Sequence, residues 1–106
     1  MNRLTPQELQ AQSGDTPAPQ VVDVRSAEEF AAGHVPGALH IPLDELPGRL
    51  SELPRDRPVV TYCNMFHPGA SRGERAAEQL SRLGFDAAVL EGGFPAWRGS
   101  AAPTEE

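Results

Sequence analysis

Short runs of β-branched residues alternate along this chain with helical segments that carry their own start signals. That alternation limits the fold more than any other feature. "QVVDV" (20–24), "ALHIP" (38–42), "PVVTYC" (58–63) and "DAAVLEG" (86–92) read as strands. Between them, Thr5-Pro6-Gln7-Glu8, Ser26-Ala27-Glu28-Glu29 and Ser71-Arg72-Gly73-Glu74 have the form of capping boxes. In each, the hydroxyl accepts from an orphan N–H three residues on while the glutamate reaches back. Pro6 stands at the first helical position of the first box, where its missing N–H costs nothing. Behind Ser71, Ala76, Leu80 and Leu83 recur on one face, and Gly84 is placed as a C-cap. "LDELPGRLSEL" (43–53) puts Leu46, Leu50 and Leu53 on one stripe interrupted by Pro47 and Gly48. A short turn and then a helix of about two turns are expected there. Strands separated by helices through short loops require a parallel sheet covered on both faces. In such sheets ligands bind beyond the carboxyl ends of the strands, and Cys63 ends the strongest strand.

A chain of 106 residues is one domain's worth and buries roughly two-thirds of its unfolded surface, so it needs no disulfide or metal staple. One domain is expected over residues 1–98, followed by a frayed, disordered tail, "GSAAPTEE" (99–106). The single cysteine cannot form an internal bridge. "MNRLTPQELQAQ" has no apolar secretion core, and no apolar run approaches the ~20 residues of a membrane span. A cytoplasmic protein with a reduced thiol is expected, with no membrane partner. The net charge of −6 argues against nucleic acid. An anionic ligand would have to be held by local dipoles and one or two arginines.

Two readings of Cys63 follow from its surroundings. A lone cysteine is commonly an inert, small apolar filler. Against that, residues 64–71 must curl from the strand end into the next helix, and Pro68, Gly69 and Ala70 leave little side-chain bulk in part of that curve. A tight curl turns successive N–H groups inward as a nest, and the following helix adds its positive end on the same side. A thiolate held there gains hydrogen bonds and a favourable dipole, which makes it a nucleophile.

Four motifs in order resemble the single-domain rhodanese family of sulfurtransferases, over about residues 3 to 98. They are "VVDVRSAEEFAAGHVPGALHIP" (21–42), "VVTYC" (59–63), "RAAEQLSRLGF" (75–85) and "LEGGFPAW" (90–97). The resemblance implies a three-layer α/β/α domain with a central parallel sheet of about five strands. It also implies sulfur transfer from a donor such as thiosulfate to a thiol or cyanide acceptor, or an acceptor protein, through a persulfide on Cys63. The substrate-binding stretch it implies is Asn64, Met65, Phe66, His67, Pro68, Gly69, Ala70, Ser71 and Arg72. No metal or organic cofactor is implied. The loop departs from the family pattern. Pro68 stands where family members carry an arginine, Gly69 stands where the rhodanese-related phosphatases need theirs, and the nearest equivalent is Arg72. The lengthened loop leaves two rivals: a catalytically weak interaction or regulatory module on the same fold, and a phosphatase or arsenate-handling enzyme.

The remaining polar residues read first as structure. Asp23 is placed to cap nearby N–H groups, and Arg25 to pair with a helix-end acid such as Glu29, with direct anion binding by Arg25 as the second reading. His34, in "GHVPG", is placed to hydrogen-bond across a tight turn. His67 is either an exposed loop side chain or a donor to the anionic substrate. Arg72 is either a solvated surface residue or the guanidinium that contacts the donor. Met65 and Phe66 either line the pocket rim or fold under it. Phe94 and Trp97 read as core plugs. Cys63, His34, His40 and His67 lack the paired spacing of a zinc site.

Overall fold

The computed structural model describes residues 2–64 and 71–106. Its elements are β1 (Asn2–Leu4), α1 (Pro6–Gln12), β2 (Gln20–Asp23), α2 (Ala27–Ala32), β3 (Leu39–His40), β4 (Val59–Tyr62), α3 (Arg72–Arg82), β5 (Ala87–Leu90) and α4 (Gly93–Gly99). The strands form one five-stranded sheet in the order β1-β5-β4-β2-β3, every pairing parallel. The α/β class and the five-stranded parallel sheet expected from the motifs are the observed ones.

The period-two alternation of the strands sorts the core into two layers. Val22, Val59, Ala87 and Val89 face α3, where they meet Ala76, Ala77 and Leu80. Val21, Val60, Ala88 and Leu90 face the other way, against Leu9 of α1 and Phe94 and Trp97 of α4. Each layer is apolar because each sheet face is covered by helix. The central strands β4 and β5 are buried along their whole length. No helix among the described residues is long and apolar enough to cross a membrane.

The boxes at Thr5 and Ser26 form reciprocally: Glu8 N–H donates to Thr5 Oγ1 at 3.1 Å and Thr5 N–H to Glu8 Oε1 at 2.9 Å. At Ser26 the same pair of bonds involves Glu29. Residues 43–53 differ from the expected turn and helix of about two turns. They form two 3-10 segments, Leu43–Gly48 and Leu50–Glu52. Pro47 has no N–H to continue an α-helix, so the chain winds in short tight turns. The leucine stripe survives, with Leu46 and Leu53 in the core and Leu50 partly buried against it.

Two elements were missed from sequence. β1 is an edge strand of three residues, too short to show alternation, that pairs Asn2 with Ala88 and Leu4 with Leu90. α4 starts at "GGFPAW", which reads as a turn. Gly92, at φ 79°, caps it in the left-handed region, and a Cβ there would lie 2.5 Å from Ala96 Cβ. The C-terminal residues, expected to fray, make defined contacts. Trp97 Nε1 donates to Pro103 O at 2.7 Å, Ala102 is buried, and His34 and Glu105 exchange backbone hydrogen bonds at 2.8 and 2.9 Å. A buried indole N–H needs an acceptor, and the tail supplies one.

Candidate active site

Continuing the alternation of β4 beyond Tyr62 turns Cys63 toward α3, and its side chain lies in that layer with 2% exposure. Its carbonyl accepts the Phe94 N–H at 2.9 Å, which ties the strand end to the first turn of α4. From the other side α3 comes in at backbone contact. A Cβ at Gly73 would stand 3.1 Å from Tyr62 Cα and 3.2 Å from Cys63 N, so only glycine lets the helix approach this closely. Thr61 Oγ1 donates to Gly73 O at 2.6 Å and fixes the contact. Ser71 caps α3 by accepting Glu74 N–H at 3.1 Å. The positive end of an 11-residue helix therefore lies directly against the backbone of Cys63.

A narrow crevice beside Cys63 is walled by Arg3, Ser71, Glu74, Val89 and Gly92. Glu74 is 4% exposed, and its carboxylate accepts Arg3 Nη2 at 2.8 Å and Ser71 Oγ at 3.3 Å. Neither Arg3 nor Glu74 belongs to the expected site. Glu74 was visible as the last member of the Ser71 box. Arg3 gave no signal, because it rides on the unrecognised edge strand.

On the opposite face a buried polar cluster holds the ends of β2 and β4 together. Asp23, fully buried, accepts the Arg25 N–H at 2.9 Å, as expected of a strand-end cap. It also takes Arg25 Nη2 and Tyr62 Oη, both at 2.7 Å. Arg25 was expected to pair with Glu29. It pairs instead with Asp23, and its Nη2 reaches Gly33 O at 2.7 Å. Its guanidinium lies 4.4 Å from the Phe94 ring centroid. Burial works against the Arg25 charge, but the Asp23 carboxylate outweighs it and raises the pKa. The Tyr62 hydroxyl is pushed well above its ordinary range by burial first and then by the Asp23 charge. Glu29 pairs with Arg72 at 3.4 Å instead. His34 has its turn-spanning bond, Nδ1 lying 2.9 Å from Phe30 O with the two rings stacked at 3.7 Å.

The expected substrate-binding stretch divides. Asn64 is exposed at the strand end, between Arg25 and Gly33 on one side and Phe94 and Arg98 on the other. Met65, Phe66, His67, Pro68, Gly69 and Ala70 lie outside the described residues. Ser71 and Arg72 begin α3, where Ser71 lines the Cys63 crevice and Arg72 faces a separate groove with Val24 and Pro42. Arg98, on α4, lines the same depressions as Asn64 and Phe94.

A parallel α/β sheet with a cysteine at the carboxyl end of its central strand, and a capped helix abutting that cysteine, places the chain among small α/β domains with a cysteine at a strand end. Residues 5–100 match the family described as Rhodanese-like domain, and the chain belongs to that family. It is 35% identical over 98 residues to a protein named Sulfurtransferase from Allochromatium vinosum, covering 92% of this chain and 88% of that one. It is 43% identical over 91 residues to an HTH-type transcriptional regulator of Mycobacterium tuberculosis, covering 81% of this chain. The match spans only 37% of that relative's length. The crystal structure of a rhodanese-like domain protein from Staphylococcus aureus superposes with a TM-score of 0.80 at 34% identity, over 92% of this chain and 91% of that one. At the level of the family, these relationships support a sulfurtransferase-type function.

Proposed function

We propose that this chain moves sulfane sulfur from a donor such as thiosulfate to a thiol or cyanide acceptor through a persulfide on Cys63. The observation that carries this reading is the seating of α3. Gly73 brings the N-terminus of α3 into contact with the Cys63 backbone, and a helix N-terminus favours negative charge placed close to it. The Cys63 thiolate attacks the outer sulfur of thiosulfate. The sulfur–sulfur bond of the donor breaks, sulfite leaves with the electron pair, and the outer sulfur remains on Cys63. An acceptor thiolate or cyanide then takes that sulfur and returns Cys63 to its thiolate. Arg72, at the start of α3, is our choice for the contact with the donor's anionic oxygens.

The burial of Cys63 at 2% exposure favours a second reading, a weakly catalytic interaction module on the same fold. Mass spectrometry of the intact protein after thiosulfate treatment separates the two. Sulfur transfer requires one added sulfur on Cys63 that dithiothreitol removes and that is absent in Cys63→Ser. An unmodified Cys63 with thiosulfate, and with other sulfane donors, favours the module. Iodoacetamide alkylation followed against pH reads both access to the sulfur and its ionisation. An unchanged thiosulfate KM in Arg72→Ala would remove Arg72 from the donor site.

A further inference from the structure

We propose that the groove between α3 and the first 3-10 segment is an acceptor subsite shaped for a small zwitterionic thiol, such as cysteine or a short cysteinyl peptide. The assignment rests on the sulfur-transfer reading above. The groove encloses about 580 Å³ and is lined by Val24, Pro42, Leu43, Asp44, Arg72 and Arg75, among others. That volume suits a ligand of amino-acid to short-peptide size. Cys63 does not itself line the groove, but Val24, which does, is its neighbour on the adjoining strand. Val24 N–H donates to Tyr62 O at 3.1 Å, so Val24 and Cys63 end neighbouring strands, and both belong to the α3-side core. Neighbouring strands run ~4.8 Å apart.

Charge selects the ligand. The chain carries −6 overall, yet two arginines stand on the α3 wall of this groove. Asp44 stands on the opposite wall. Arg75 and Asp44 are both exposed and make no ion pair among the described residues, with each other or with any third group. Opposite charges held apart across one groove suit a ligand that carries both signs. A carboxylate reaches Arg75, the one of the two without an ion pair among the described residues, since Arg72 beside it is held by Glu29 at 3.4 Å, and an ammonium reaches Asp44. Val24, Pro42 and Leu43 give the methylene next to sulfur an apolar surface. From there the acceptor thiolate attacks the outer sulfur of the Cys63 persulfide. The bond between that sulfur and Cys63 Sγ breaks, Cys63 leaves as thiolate, and the acceptor departs as its own persulfide.

The test loads the whole protein with thiosulfate and follows discharge by four thiols: cysteine, N-acetylcysteine (anion only), cysteamine (cation only) and 2-mercaptoethanol (neither). Each variant is compared with wild type for the same thiol, which cancels differences in thiol reactivity. Arg75→Ala is expected to lower the discharge kcat/KM about tenfold for cysteine and N-acetylcysteine, and to leave cysteamine and 2-mercaptoethanol unchanged. Asp44→Asn is expected to do so for cysteine and cysteamine only. Equal losses for all four thiols, or none for any, overturn the subsite. So does a wild-type persulfide that forms but that no small thiol discharges, which would point to a protein acceptor and leave the proposed function standing. A wild type that never takes up sulfur counts against the proposed function itself.

Discussion

Tyr62 and Cys63 are adjacent in sequence and have opposite surroundings, which makes each separately testable. The Tyr62 hydroxyl is buried, donates to Asp23 and accepts the Val35 N–H at 3.1 Å. Its folded-state pKa lies above its unfolded value of ~10. A raised pKa means that the folded chain holds the proton more tightly than the unfolded chain. The stabilisation is therefore complete below pH ~10 and is lost as pH rises through the folded value. The chain has no lysine and no other tyrosine, so with Cys63 replaced by serine this alkaline loss stands almost alone. Urea unfolding from pH 8 to 11 should show stability falling above pH ~10, and Tyr62→Phe should flatten that slope. Arg25 carries a larger share of the same cluster. In Arg25→Leu the buried Asp23 carboxylate loses its counter-charge, and a destabilisation of about 3–5 kcal/mol is expected in the same measurement. That Arg25 pairs with Asp23 was beyond sequence reasoning. Asp23 and Glu29 are both within reach along the chain, and only the fold decides between them.

Among the elements, α3 shows what was legible and what was not. Its cap and the apolar face at Ala76 and Leu80 follow from local rules that need no tertiary context, whereas Leu83, expected on that face, is the exposed C-cap just before Gly84. Its closeness to β4 does not, because Gly73 inside a helical pattern reads only as a weak point. Its purpose appears in the contact with Tyr62 and Cys63. Gly73→Ala sets a gain in helix propensity of up to ~1 kcal/mol against ~1–3 kcal/mol for overpacking on strand backbone that cannot yield. A net loss of about 1 kcal/mol in chemical denaturation is expected, together with slower persulfide loading, because the helix end is pushed off the cysteine. A stabilised, fully active variant would show that the approach has slack. β1 and α4 were hidden for a different reason. One is too short to show a period, and the other begins with glycines whose left-handed geometry sequence alone does not reveal.

For the molecule as a whole, a parallel sheet covered on both faces was implied by alternation, while the strand order, with β1 at one edge, and the closing of the chain on itself were not. Small and acidic residues after Gly99 carry no periodic signal, yet Pro103 satisfies Trp97 and Glu105 pairs with His34. Truncation after Ser100 removes these bonds and is expected to cost roughly 1–3 kcal/mol. Each kcal/mol lost should lower Tm by roughly 4–8 °C, readable by thermal scan. The alternation of β4 has the widest effect. It places the sulfur and the Asp23–Arg25–Tyr62 cluster on opposite sides of a single layer of backbone, which acts as a bulkhead. Chemistry on one side can then be retuned, by lengthening a loop or moving a charge, without disturbing the fastenings on the other.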